Sequence, residues 1–336
     1  MLRFIVRRLV QMVGVLIVLS LLLFLWLRSL PGGTVSAILG ERATPASRAA
    51  MEAQFGLDQP VWVQYAKFVG RVLQGNFGPS TAVLPGRDAL DIFLQRLPAT
   101  IELSLFALAI AVALGIPLGY FAARRKETFL DNASVVGSLI GVAVPVFFLG
   151  FLLQRVFAIE LGWLPVSGRQ STGLDATRIT GFFVLDGILT REWDAAWDSF
   201  KHLILPAVTL ATIPFAVVFR ITRASVLEVL DEDYIRTAES KGLTARIIRG
   251  RHILRNAMLP VTTTIGLQVG ALLAGAVLTE TVFGFAGVGD ALATAFRLRD
   301  YAVLQVLILA AAGIYVIVNL LVDIMYAVID PRVRTR

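Results

Sequence analysis

The chain has 336 residues, of which 57% are hydrophobic and only 16% charged, with a formal net charge of +7. Soluble domains carry about 25% charged residues, so this shortfall excludes a disordered chain and argues against a soluble enzyme. The 55 charged residues are also unevenly placed: six stretches hold none, and the remaining 209 residues are 26% charged.

The first uncharged stretch is Leu9–Leu27, 19 residues after Arg3, Arg7 and Arg8. A signal-peptide core is about 7–15 residues long. The stretch therefore reads as a retained span, although the small residues near Val35–Ala37 are similar to a cleavage site. A large polar segment follows. It shows a helix-like pattern after Pro45 within 42–71, a turn at Asp58-Gln-Pro60 and a second turn cluster at Gly75-Asn-Phe-Gly-Pro79.

Leu103–Ala123 is the second stretch, with Glu102 at its outer edge four residues after Pro98. A carboxylate within a bilayer is functional by default, but at the edge it also suits an interfacial residue in the first helical turns. Asn132–Gln154 is the third and contains Pro145. The segment 155–201 holds 5 basic and 6 acidic groups. His202–Phe219 is the fourth, with Pro206 and Pro214. Asn256–Thr279 is the fifth, with Gly266, Gly270 and Gly275 suited to close helix packing. Tyr301–Val322 is the sixth. Glu280 and Asp323 flank the last two. Trp26, Trp163, Trp193 and Trp197 are placed like interfacial aromatics.

A hydrocarbon core about 30 Å thick needs roughly 20 apolar helical residues, and in hydrocarbon every backbone polar group must be paired within the segment. The expected fold is therefore an all-α integral membrane protein with six transmembrane helices. The segments 1–8, 124–131, 220–255 and 323–336 are 26% Lys and Arg, against 10% for the segments on the other side. Basic residues favour the cytoplasmic side, which places both termini there. The same bias accounts for the basic balance, so no nucleic-acid partner is expected.

Residues 220–255 carry 8 basic and 5 acidic groups. From Asp233 to Leu254 there is no Pro and the first Gly is Gly242, so one or two helices are expected, broken near Gly242. On pattern alone this is either a solvated helix joining two spans or a surface that docks a soluble partner. Cys is absent, so no disulfide or Cys metal site exists. His202 and His252 suit neither a metal pair nor a nucleophilic dyad. No G-x-x-x-x-G-K-[ST] loop is present, and no catalytic residue is assigned. An intramembrane hydrolase lacks its motifs. A secondary, ion-coupled transporter remains the alternative, although no uncharged stretch holds the buried ionisable groups such a protein uses.

Asp233-Tyr-Ile-Arg-Thr-Ala-Glu-Ser-Lys-Gly-Leu243, followed by Arg251-His-Ile-Leu-Arg-Asn-Ala-Met-Leu-Pro260, resembles the "EAA" loop of ABC importer permeases, in particular the dipeptide/oligopeptide branch. Leu57-Asp-Gln-Pro60, Gly75–Ser80, Pro98–Leu103, Leu161–Pro165, Glu280–Phe283, Arg299-Asp300-Tyr301 and Asp330-Pro-Arg332 extend the resemblance over almost the whole chain. The Glu-Ala-Ala positions read Arg236-Thr237-Ala238, and Ala286 stands where the branch usually has Pro. The resemblance implies a type I ABC importer-like permease fold. It divides into a first transmembrane helix within 1–28, an extracytoplasmic loop 29–97 and a core 98–336 that contains the coupling loop 220–255. Tyr234, Arg236, Thr237, Ala238, Glu239, Lys241, Gly242 and Leu243 would dock an ATPase subunit, with Ala238 allowing close approach and Gly242 a turn where a side chain would clash. Glu102, Pro145, Gln268 and Glu280 are the candidate translocation-pathway residues. The implied partners are a second permease subunit, two ATPase subunits that bind ATP and Mg, an extracytoplasmic solute-binding protein and the lipid bilayer. The implied solutes are di- or oligopeptides, or a small solute such as nickel, for which the chain holds no metal site.

Overall fold

The computed structural model describes residues 2–29, 44, 59–174 and 176–329. The helical pattern after Pro45 as far as residue 58, the small residues 35–37 and the tail 330–332 lie outside the described residues. So do the side chains of Asp323 and of residues 273–275. Twelve helices are described: α1 Leu2–Ser29, α2 Val61–Leu73, α3 Ala89–Arg124, α4 Phe129–Ala143, α5 Val146–Leu153, α6 Phe183–Leu189, α7 Trp193–Leu230, α8 Asp233–Ser240, α9 Ala245–Ile247, α10 Arg255–Phe283, α11 Val288–Leu298 and α12 Tyr301–Ile329. Gln154–Glu160 continues α5, and Ile248–Leu254 continues α9, as π-helical turns. Among the described residues there is no strand, only an isolated bridge between Pro79 and Asp88.

Among the described residues four helices are long and apolar enough to cross a membrane, or up to six spans when two bent pairs each count as one. The third expected span is one of these pairs. Phe129–Ala143 and Val146–Glu160 meet at 101°, so it is not a straight helix. Pro145 is the reason. It lacks an N–H and drives the preceding residue out of the helical region, and Val144 is extended at φ −77°, ψ 125°. Pro206 and Pro214, by contrast, lie inside the 38-residue α7 without ending it. That helix also runs eleven residues past Phe219, so the segment 220–255 begins as helix rather than loop.

The chain divides into two compact units, Met1–Pro98 with Ala286–Ile317, and Ala99–Phe285 with Val318–Arg336. In the first unit, Ile92, Phe93, Ala295, Val303 and Leu307 form the core together with Leu23 and Leu27 of α1. The Ser20 hydroxyl meets the Tyr65 hydroxyl at 2.8 Å, Arg28 donates to Gln64, and Phe24 packs on Tyr65 and Phe68. Trp26 stacks on Phe296.

In the second unit, α7 is the central element, packed by α4, α5, α6 and α10. Its core joins Leu103 and Ala107 of α3, Leu203 and Leu210 of α7, and Ala276 and Phe283 of α10. The contact of α3 with α7 is close because Gly119 has no side chain. A Cβ there would lie 2.7 Å from the Phe219 carbonyl oxygen and 2.8 Å from Thr222 Cβ. Gly119→Ala is therefore expected to overpack this crossing at a cost of about 1–3 kcal/mol. Gly137→Ala, where a Cβ meets nothing within 4 Å, should be neutral or slightly stabilising. Thermal unfolding of the two variants in detergent checks this; equal midpoints would refute the crossing.

Candidate functional site

The segment after α7 folds back on the chain. Glu232 and Asp233 open α8, which carries a sharply divided surface: Ile235 and Ala238 are 3% exposed, whereas Tyr234, Arg236, Thr237, Glu239, Lys241, Gly242 and Leu243 are exposed. Ile235 and Ala238 enter a core formed with Tyr120, Ala123, Val226, Ile248, Ile253 and Ala257, which come from α3, α7, the π-helical turn and α10. The Tyr234 hydroxyl accepts from Asn256 Nδ2 at 3.0 Å. Arg236 is 3.9 Å from Asp233, an exposed pair of little energetic weight.

Ala238 is buried against this chain's own helices, which its small side chain lets α8 approach. Within this chain Gly242 avoids no clash, since a Cβ there would meet nothing within 4 Å. Its φ of +74° is the reason: in that left-handed region a Cβ costs about 1–2 kcal/mol. The Leu243 N–H then returns to the Ala238 carbonyl at 3.2 Å and closes α8.

The other polar centre of this unit surrounds Glu102. This residue is 4% exposed, and it is a buried anchor rather than an interfacial group in the first turns. Arg169 Nη2 donates to Glu102 Oε2 at 2.7 Å, and the Val184 N–H to Glu102 Oε1 at 3.0 Å. Arg169 also donates to the Gly181 carbonyl and lies over the Phe183 ring, 3.7 Å from its centroid. Burial pushes the Arg169 guanidinium down, and Glu102 pulls it back up. Two further carboxylates hold the same segment. Asp198 accepts from the Ser171 N–H and hydroxyl, and Asp186 from the Thr180 N–H and hydroxyl and the Gly181 N–H. Burial alone would raise Asp186, but the Thr180 and Gly181 donors outweigh it and hold it below the usual carboxylate range.

Among the pathway candidates, the structure associates Glu102 with Glu280. Glu280 is fully buried and accepts from the Oγ1 of Thr100, two residues before Glu102 on α3, at 2.6 Å. The Glu280 charge also acts on Arg169. Gln268 is half-buried, twelve residues earlier on α10, about 18 Å along a helix. Pro145 is exposed at the helix break.

Sequence reasoning missed Arg169, which nothing in its own spacing distinguishes from the other loop arginines. It also missed the bidentate pair of Arg223 with the buried Asp131, at 2.6 and 2.7 Å. In the first unit it missed the role of Asp300. This fully buried carboxylate accepts from the Ser80 hydroxyl at 2.6 Å and from the N–H groups of Thr81, Ala82 and Val83 at 2.9–3.1 Å. Both residues fall in motifs that carry the family resemblance, but their pairing across 220 positions is not visible there.

Among the described residues, apolar helices of spanning length, two bent pairs and a short helix docked on their ends define a helical membrane protein. Residues 115–335 match the family described as "Binding-protein-dependent transport system inner membrane component", and residues 1–104 match its N-terminal companion. The dipeptide transport system permease protein DppB of Alkalihalophilus pseudofirmus is 41% identical, over 99% of this chain and 100% of its own length. The di/tripeptide transport system permease protein DppB of Pseudomonas aeruginosa is 44% identical, and the dipeptide transport system permease protein DppB of Escherichia coli 43%, each over 99% of both chains. The chain belongs to this family. It is a multi-pass membrane subunit of a binding-protein-dependent ABC importer, and the secondary-transporter alternative finds no support.

Removing one partner of a buried ion pair costs about 3–5 kcal/mol. Arg169→Met, which strands the Glu102 charge, should therefore lower the unfolding temperature and expose residues 168–184 to protease. The double variant Glu102→Gln/Arg169→Met should lose less than Arg169→Met alone; a larger loss would refute the pairing. For Asp300, burial raises the carboxyl, but Ser80 and three backbone donors outweigh it and hold it below the usual range. A depressed carboxylate contributes stability above its unfolded pKa of about 3.9 and loses it as pH falls through the folded value. The stability gap between wild type and Asp300→Asn should therefore be full at pH 7 and 5 and narrow below about pH 4. A gap independent of pH would refute the charge's role.

Proposed function

We propose that this chain forms half of the translocation pathway of an ATP-driven importer for dipeptides or short peptides. It works beside a second permease of the same kind, with a solute-binding protein outside and two ATPase subunits inside that bind ATP and Mg. The observation that carries the reading is the divided surface of α8. Its apolar face, Ile235 and Ala238, is buried against α3, α7 and α10, while Tyr234, Arg236, Thr237 and Glu239 are bare. A docked partner that moves α8 would pull on three helices at once. The peptide solute is supported by the relatives, which are named as dipeptide and di/tripeptide permeases. Both termini and the segment 220–255 lie in the cytoplasm in this reading, as the placement of basic residues supports.

The outer face of the same unit supports the reading too. Glu102, Asp186 and Asp198 hold Arg169, Ser171, Thr180, Gly181 and Val184, which gives a binding protein a pre-formed surface to meet. Glu102 and Glu280 are proposed to act there as positioning residues, while Pro145 and Gln268 remain candidates for the pathway wall.

The test is uptake of a labelled dipeptide by the reconstituted complex. Gly242→Asn, whose residue tolerates a left-handed φ, should retain most uptake. Gly242→Trp and Ala238→Trp should abolish uptake and solute-stimulated ATP hydrolysis while the protein still inserts. Normal transport by Gly242→Trp would overturn the coupling role. The chain has no Cys, so Ser240→Cys provides a single label site. It should react with an impermeant maleimide only from the cytoplasmic side; labelling from outside would reverse the orientation.

A further inference from the structure

The charges that follow α7 are segregated along the chain. All five acidic residues of the segment 220–255 lie between Glu228 and Glu239. Arg246, Arg249, Arg251 and Arg255 follow, and no acidic residue occurs again before Glu280. The acidic and mixed set belongs to α8 and its approach, where the coupling partner is proposed to dock. The purely basic set lies beyond the Gly242 turn, on the π-helical turn Ile248–Leu254 and its two flanks.

The fold turns this run into a surface. Ile248 and Ile253 are 6% and 4% exposed, inserted among Tyr120, Ala123, Val226 and Ala257. The four arginines are exposed, and among the described residues none of them forms a salt bridge. The same core holds the end of α3, which brings the exposed residues Arg124, Arg125 and Lys126 to this end of the unit. Of the acidic groups beside those three, Asp131 is engaged by Arg223, and Glu127 is exposed.

The position matches a membrane surface. Arg255 directly precedes the uncharged stretch that opens at Asn256. At 1.5 Å per residue, Arg246 lies within about 15 Å of that boundary, and a guanidinium on its long stem reaches further. Ile247 and Leu259, 42% and 49% exposed, flank the arginines with apolar surface suited to the headgroup boundary. A guanidinium matches a phosphate oxygen pair bidentately, and a basic cluster immediately cytoplasmic of a span attracts anionic lipid.

We propose that Arg246, Arg249, Arg251 and Arg255, with Arg124–Lys126 beside them, form a binding surface for anionic phospholipid headgroups of the cytoplasmic leaflet. Seated there, the lipids hold the base of α8 at a fixed depth, so the coupling helix has a level from which to move. The inference rests on the orientation proposed above. The binding measurement below is made in detergent and does not depend on that orientation, while the Ser240→Cys label tests orientation alone, so the two failures are distinguishable.

The test uses the full chain in neutral detergent, titrated with short-chain phosphatidylglycerol or phosphatidylcholine, with bound lipid counted by native mass spectrometry. Phosphatidylglycerol should bind, weaken with rising salt and resist competition by inorganic phosphate at the same concentration; phosphatidylcholine should not bind. Each Arg→Gln change should weaken binding about fivefold, and R246Q/R249Q/R251Q/R255Q more than a hundredfold, while the corresponding four Lys substitutions retain most of it. Helical circular dichroism confirms that each variant is folded. Equal binding of the two lipids, displacement by inorganic phosphate, or unchanged binding by the folded quadruple Gln variant would overturn the proposal. So would a quadruple variant that keeps its lipid but no longer retains ATPase subunits on purification, since that surface would then be a protein interface.

Discussion

Hydrocarbon offers no hydrogen-bond partner, and the rest of this structure follows from that constraint. Each unit of backbone inside the bilayer must satisfy its own N–H and C=O groups, which a helix does within the segment. The uncharged stretches are accordingly helical, and among the described residues no strand is present. A break in a span is tolerated only where the geometry forces it. Pro145 forces one by removing an N–H and pushing Val144 into an extended conformation, and the chain turns by 101° at that point.

The irregular segments outside the spans meet the same requirement by a different means. Without sheets to pair their backbone, they are pinned by buried carboxylates that accept several donors at once. Asp300 gathers Ser80 and three consecutive N–H groups, Asp186 gathers Thr180 and Gly181, and Glu102 gathers Arg169 and the Val184 N–H. Each is expensive to bury alone and inexpensive once its oxygens are occupied. This makes the loops rigid without a disulfide, which a chain lacking Cys cannot form. It also means that Asp300, Asp186 and Glu102 are committed to holding loop backbone in place.

Toward the other end of α3, α8 docks on this chain's own helices. Its buried residues, Ile235 and Ala238, touch elements from α3, α7 and α10, while Gly119 lets α3 cross α7 closely a little further along. Close-packed interiors transmit displacement because they cannot be compressed. A force applied to the exposed face of α8 therefore reaches the span ends without passing through a flexible tether. The basic surface beyond Gly242 adds a second reference point, the plane of lipid phosphates.

Much of this was legible in the residue order. Charge placement delimits six uncharged stretches and proposes their sidedness, because the cost of putting a charge in hydrocarbon is local and large. The break at Gly242 was also visible, since backbone freedom at Gly is a property of a single residue; Pro145, Pro206 and Pro214 read alike, and only the first breaks its helix. What the sequence could not show were pairings set by distance in space. Glu102 read as an edge residue until Arg169, 67 positions away, was seen against it. Ala238 read as room for a partner until it was found facing Tyr120 and Ile253. Asp300 and Ser80 lie 220 positions apart. By itself the sequence determined that the protein is a helical membrane subunit and that the segment after α7 breaks near Gly242, because desolvation and torsion act residue by residue. Only the tertiary structure decided which carboxylates anchor loops and which face of α8 remains exposed, because those depend on which helices pack together.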